Sequence, residues 1–410
     1  MKTKFFSLLI VILLVSCGPK TPTPTEVIPP TAAPVVATNT PRPVLPTATA
    51  TTTLTPTVEP TATAAPSPTP SIIGPDNFPA DVNPLTGLKV ANPSLLERRP
   101  IAIKVNIAPR ASYRPPWGLT FADLVFDYYH NAGYSRFHAI YLGTDANAVG
   151  AIRSARLLDA SLIAMYKSDF AYGSADPIVN SRLMNADFGN RLVLEGVKTL
   201  CPSTVKNPLC RFEPSGSNLL LGSTSAISQY ITAKGVENGR QDLNGMAFAE
   251  AIPQNGTAAN QVFVSYSRDD YLRWDYDPAS GRYLRFQDNK YRLGENPEVF
   301  APLIDQANNQ QISAANVVVL FVDHEYYRQP PSEIIDILLS GSGKAIAFRD
   351  GQMYEVQWNR PGVDSVLFLT NPDGTPFPFK PGNTWFQVIG KTSNSLKPGD
   401  GVFRYEFATP

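Results

Sequence analysis

Apolar and polar positions fall into three regimes along this chain. Residues 5–15 form a short, nearly unbroken apolar run behind Lys2 and Lys4. From Pro19 to about Pro79 the sequence is Pro, Thr, Ala, Ser and Val with scarcely a charge. Beyond residue 80 the pattern turns globular. Strands are expected at Ile101–Asn106, Asp123–Tyr129 and Arg136–Leu142, with Asn131, Ala132 and Gly133 supplying hairpin-turn chemistry. Leu157, Leu158, Leu162 and Met165 recur at helical spacing. Phe170–Gly173 reads as a strand ending in a Gly-Ser turn, and Ile178–Phe188 and Ser223–Ala233 read as helices. Later segments are strands: Gln261–Ser267, a hairpin of Leu272–Tyr276 with Arg282–Gln287, and the buried-type run Val317–Asp323. Asp350-Gly351 predicts a type I′ hairpin between Lys344–Phe348 and Met353–Trp358. A last hairpin is expected from Val366–Leu369 and Thr384–Ile389 around Asn371–Gly374.

The expected fold class is α+β: a mixed α/β N-terminal domain over 80–240, then a β-rich C-terminal domain over 241–410. The seam falls where polar, Gly-rich sequence between Gly235 and Asn260 interrupts the apolar pattern. The stretch 17–79 cannot bury enough apolar surface to offset its ordering entropy and is expected to be a disordered tether. Proline-rich chain extends at about 3.1 Å per residue, so some sixty residues reach roughly 190 Å at most.

The apolar run ends in Leu14-Val15-Ser16-Cys17. Basic start, apolar middle and small residue make a secretory leader over 1–16. A cysteine directly after Ser16 makes this a lipobox, with Cys17 the lipidated N-terminus of the mature chain. A transmembrane span needs about 20 apolar residues, roughly twice what this run offers. Two acyl chains anchor a protein stably, so the expected membrane partner is reached through the lipid alone.

Charge and cysteines narrow the picture further. The chain has 35 basic and 35 acidic residues; without Lys2 and Lys4 the balance is 33 against 35. Nucleic-acid binding has no basic footprint here. Cys201 and Cys210 sit in CPSTVKNPLC. In an exported protein such a pair reads first as a disulfide and second as two buried thiols, since a metal needs four ligands.

Several motifs occur in a family-specific order: NPLTGL (83–88), ADLVFDYY (122–129), GYSRFHAIY (133–141) and GAIRSAR (150–156), then NVVVLFVDHE (316–325), GSGKAIAFRDG (341–351) and PDGTPFPFKPGNTW (372–385). In these the chain resembles the YerB-type bacterial lipoproteins, which carry the two-part domain of unknown function 3048. The resemblance implies lipid anchoring and an extracytoplasmic body, and no activity. Asn131 stands where an acid is usual in the family and Tyr172 where a histidine is usual, so no histidine chemistry is carried over.

Arg153 and Arg156 are the leading ligand-binding candidates. At i and i+3 on a first helical turn they would point one way, suiting a carboxylate or phosphate. The competing reading pairs them internally with Asp127 or Asp123. Ser174 and Asp176 lie at a strand exit, where open α/β sheets place ligands, although a turn or helix N-cap would use the same residues. His130 and His138 flank the hairpin turn, and strand alternation argues against their sharing a metal with Asp127. His324 lies in a strand-end DHE cluster. Gly341-Ser342-Gly343-Lys344 lacks the first glycine and the hydroxyl of a phosphate loop and reads as a tight turn. No cofactor, metal or catalytic motif emerges. The preferred reading is a non-catalytic module binding a cell-envelope component, either wall polymer (peptidoglycan) or an exported protein. The alternative is a wall hydrolase or transferase using carboxylates such as Asp127, Asp176 or Asp323 with Arg153 and Arg156.

Overall fold

The computed structural model describes residues 72–213, 219–290, 292–294 and 298–410. The leader, Cys17 and most of the expected tether lie outside these residues. The described residues belong to one compact unit and are strand-dominated, 39% strand against 13% helix. The coarse α+β expectation holds in that form.

The largest sheet contains β1 (Ile101–Val105), β2 (Leu124–Asn131), β3 (Tyr134–Tyr141), β4 (Asp169–Ala171), β5 (Leu192–Val193), β6 (Asn316–Val322), β7 (Gly341–Arg349), β8 (Gln352–Arg360), β9 (Phe368–Thr370) and β10 (Thr384–Gly390). Their order is β9-β8-β7-β6-β10-β2-β3-β1-β4-β5, with Thr257–Ala258 added on β8. β10 runs parallel to both β6 and β2, and β1 is parallel to β4. Through antiparallel β3, strands β1 and β2 also share a direction. The C-terminal ends of β1, β2, β4, β5, β6 and β10 therefore lie along one edge, where β3 and β7 begin.

This topology corrects one expectation. β10 does not fold back as a hairpin partner of β9; β9 pairs with β8 instead. All seven residues of β10 are buried, as a strand covered on both faces requires. Phe386 stacks on Phe126 of β2 with ring centres 4.5 Å apart. Because β10 joins β2 to β6, one sheet and one apolar core run across position 240/241. That position divides the sequence without separating two cores.

The expected hairpins at 131–133 and 350–351 form. Asp350 and Gly351 have φ of 52° and 69°, the left-handed pair of a type I′ turn. Gly341–Lys344, expected as a turn, instead opens β7. A Cβ on Gly343 would lie 2.6 Å from the Trp358 ring nitrogen across the strand pair, so glycine admits the indole.

A second sheet orders Phe300–Pro302, Arg282–Asp288, Tyr271–Asp277, Gln261–Ser265, Val402–Glu406 and Asn394–Gly399, with Ser313–Ala314 attached. It meets the first through Trp274 against Trp385, ring centres 5.3 Å apart. Between the layers, Arg285 donates to Asp127 at 2.9 Å, with neither side chain exposed to solvent. Helices α1 (Leu157–Tyr166), α2 (Pro177–Met184) and α3 (Thr224–Ala233) complete the unit. Asp176 caps α2 by accepting from the Ile178 N–H at 3.0 Å, ahead of a proline at the first helical position. Cys201 and Cys210 form a disulfide.

Candidate functional site

The segment before α1 crosses the shared sheet edge in extended form. Arg153 N–H donates to the Lys104 carbonyl (3.0 Å), Gly173 N–H to the Arg153 carbonyl (3.0 Å), and Ala155 N–H to the Ser174 carbonyl (2.8 Å). Helix begins only at Leu157. Arg153 and Arg156 thus do not share a helical turn, which corrects that expectation. Hydrogen bonding to the ends of β1 and β4 outweighs one more helical turn. The two guanidiniums diverge: Arg153 lies over the Tyr113 ring and bonds its hydroxyl. Arg156 turns to the carbonyl of Ala155 (2.8 Å) and the His130 ring (3.1 Å).

Arg136, at the start of β3, approaches from the other side. It donates to the Asn106 side chain (3.3 Å) and the Ser154 carbonyl (3.0 Å). Neither Arg136 nor Arg156 has a carboxylate in ion-pair reach among the described residues. Burial, and then the neighbouring Arg156, push the Arg136 guanidinium down to about 9. Burial also lowers Arg156. His130 is driven well below its usual range, by burial first and then by Arg136 and Arg156, so its imidazole is neutral. Ser154 and Ser174 hydroxyls, 2.8 Å apart, form the rim.

Beneath lies one carboxylate with four donors. Asp159 accepts from Tyr128 OH (2.5 Å), lies 2.8 Å from His138 Nδ1 and 3.3 Å from Lys104 Nζ, and accepts the Arg156 N–H at 2.6 Å. Burial alone would raise its pKa; Lys104 and His138 outweigh burial and hold it well below the carboxylate range. Lys104 is pushed down to about 7 by burial, against the pull of Asp159. Asp159 is thus engaged from below and by the Arg156 backbone, and it forms no ion pair with either guanidinium above.

The anticipated acids are engaged elsewhere. Asp127 is enclosed with Arg285, which removes it from the site and from any pairing with Arg153 or Arg156. Asp123 accepts the N–H groups of Leu142 and Gly143, at 2.5 and 2.9 Å. Asp176 pairs with Arg328 at 2.6 Å. The histidines do not face each other: His138 lies opposite Phe126, and a bulge displaces His130. The fold brings together Arg156 and Ser174 from the anticipated set. It adds Arg136, Asn106, Ser154 and His130, with Lys104 and Asp159 below. A lysine inside the apolar run Ile101–Val105 was the available sequence signal for the buried network.

Fold and site together define a strand-dominated α+β protein with a cation-rich, acid-poor cluster at one sheet edge. The family model for the protein of unknown function (DUF3048) N-terminal domain matches residues 85–204, and that for its C-terminal domain matches 262–386; the chain belongs to this family. It is 26% identical over 325 residues to the provisionally assigned lipoprotein YerB of Bacillus subtilis (strain 168), covering 78% of this chain and 89% of the relative. The crystal structure of the YerB protein from Bacillus subtilis shares the fold, with a TM-score of 0.59 at 23% identity, covering 75% of this chain and 96% of that one. Similarity to a lipoprotein agrees with a membrane-anchored, extracytoplasmic location. Among the described residues no helix is long and apolar enough to cross a membrane.

Proposed function

We propose that this protein is a lipid-anchored, extracytoplasmic binding module that holds a carboxylate or phosphate of a cell-envelope component, wall polymer or exported protein, between Arg136 and Arg156. One observation carries the reading: two half-buried guanidiniums meet at the Ser154–Arg156 segment with no carboxylate in ion-pair reach of either among the described residues. Burying a charge is costly unless it is paired, and an arriving anion relieves that cost. Guanidinium forks match carboxylate and phosphate oxygens, and the rim hydroxyls of Ser154 and Ser174 add donors. A lipid on Cys17 and the Pro/Thr tether would hold this cleft away from the bilayer.

The test is binding of the purified protein to isolated cell walls at low salt. The double variant R136A/R156A should bind about tenfold more weakly or worse, with folding intact by thermal unfolding. Undiminished binding by a folded variant sinks the proposal. The hydrolase or transferase reading has lost Asp127 to Arg285 and finds Asp176 committed to α2 and Arg328. Wall fragments released by the wild type and abolished by D323N would revive it.

A further inference from the structure

We propose that anion binding between Arg136 and Arg156 is coupled to proton uptake at Lys104, so that the module holds its ligand more tightly in mildly acidic surroundings and loosens as pH rises. The inference rests on the reading of the Arg136/Arg156 cluster just given and names its regulation.

Strand register puts the cluster and the buried network on one face of the large sheet. Lys104 on β1 lies opposite His138 on β3; Arg136, two residues before His138, lies opposite Tyr128 on β2. Side chains two apart along a strand share a face, so these four belong to the same one. Asp159 of α1 packs on it, reaching Lys104, Tyr128 and His138. The bond from Arg136 to Asn106, two residues beyond Lys104, joins the two levels. Three cations thus crowd one carboxylate. Of the three, only Lys104 pairs with Asp159.

Like charges this close are relieved when one of them discharges. A guanidinium keeps its proton through the neutral range, whereas a buried ammonium gives it up readily. Burial lowers Lys104 most, Asp159 opposes, and Arg136 and Arg156 lower it further, to about 7. An anion held between the guanidiniums cancels their repulsion on the ammonium and raises its proton affinity. The bound protein then carries more protons than the free protein around neutrality. By linkage, affinity falls as pH rises through that window.

The groups around Lys104 do not replace it in this role. Protonating His138 would add an Nε2–H that has no acceptor among the described residues, beside the Phe170 ring. His130 is held well below its usual range, so it titrates at lower pH, and Arg136 discharges only near 9. Tyr128 is pushed well above its usual value, and the Tyr172 hydroxyl donates to Asn180. Asp127 faces the second sheet and pairs with Arg285, and Asp176 is held by Arg328.

The experiment uses the purified protein with sulfate and poly-glutamate as probes, neither of which titrates near neutrality. Calorimetry in two buffers of different ionisation enthalpy should show uptake of about half a proton at about pH 7.5. Affinity should fall about fivefold between about pH 6 and 8, the result of a rise of roughly one unit in the Lys104 pKa on binding. Nuclear magnetic resonance of protein carrying labelled lysine should show one side chain titrating near neutrality, its midpoint raised by either probe. K104M should bind with little pH dependence, and a folded K104M that keeps the proton uptake overturns the assignment to Lys104. Should K104M fail to fold, the lysine resonance of the wild type decides alone. If the probes bind, R136A/R156A weakens them, and neither proton uptake nor a shifted lysine midpoint is seen, the coupling is overturned and the anion site stands. If no probe binds and R136A/R156A changes nothing, the reading of the Arg136/Arg156 cluster itself has failed.

Discussion

Arg285 and Arg156 make an instructive pair, because both are arginines withdrawn from solvent in the same unit. Arg285 faces Asp127 and lies against the rings of Phe137, Trp274 and Trp385. Its charge is neutralised and its faces are covered, so it acts as a rivet between two sheets. Arg156 has the same chemistry but meets carbonyls and a neutral imidazole at an open edge. The difference lies in what opposes the charge. A buried cation facing a carboxylate is scaffolding; a half-buried one with no carboxylate in reach, beside a second such cation, is the feature on which the proposed anion site rests. Asp169 supplies the mirror case at the opposite edge, where β4 begins. It is a buried carboxylate with neither oxygen hydrogen-bonded among the described residues, pushed up to about 7 by burial against the pull of Arg191 and Arg99.

Three substitutions press on this contrast. The largest effect is expected from R285A, which strands Asp127 in the core and should cost about 3–5 kcal/mol in denaturant unfolding. Replacing both partners, as D127L/R285M, should cost less than the single change; an equal or greater loss would show that the pair is not the source. Next comes D169N. The folded pKa of Asp169 lies above its unfolded value, so its contribution to stability falls as pH rises from about 4 to 7 and the deficit is full above that. A permanently neutral amide should therefore stabilise on the order of 1–3 kcal/mol at pH 8. The gain should fade as pH is lowered through the same window, and a gain independent of pH refutes the assignment. The smallest effect belongs to D176A, which removes the α2 cap and should cost about 1 kcal/mol. D176N, which can still cap, should recover most of this, because the partly exposed pair with Arg328 contributes little.

Much of the fold was legible where the determinants are local. The β2–β3 hairpin, the Asp350-Gly351 turn, α1 and α3 follow from period and turn chemistry. β10 was misassigned to a hairpin because nothing within Thr384–Gly390 says that its neighbours are β2 and β6; that pairing is decided by packing on both faces. The site was half legible for a related reason. Arg156 and Ser174 stood out in their motifs, whereas Arg136 was no more than the first residue of the expected strand Arg136–Leu142. Asp127, an apparent site acid, sits opposite an arginine 158 residues further along the chain.

The place of β10 also has a consequence in time. Its two neighbours in the sheet are separated by nearly two hundred residues, and it is made after both. In a chain delivered N-terminus first, β2 waits with an open, apolar edge until residue 390 has emerged. Completion of the sheet is then a late, long-range event, slow in the way that non-local strand pairing is slow. Until that moment the unpaired edge is the part of the molecule most open to wrong partners.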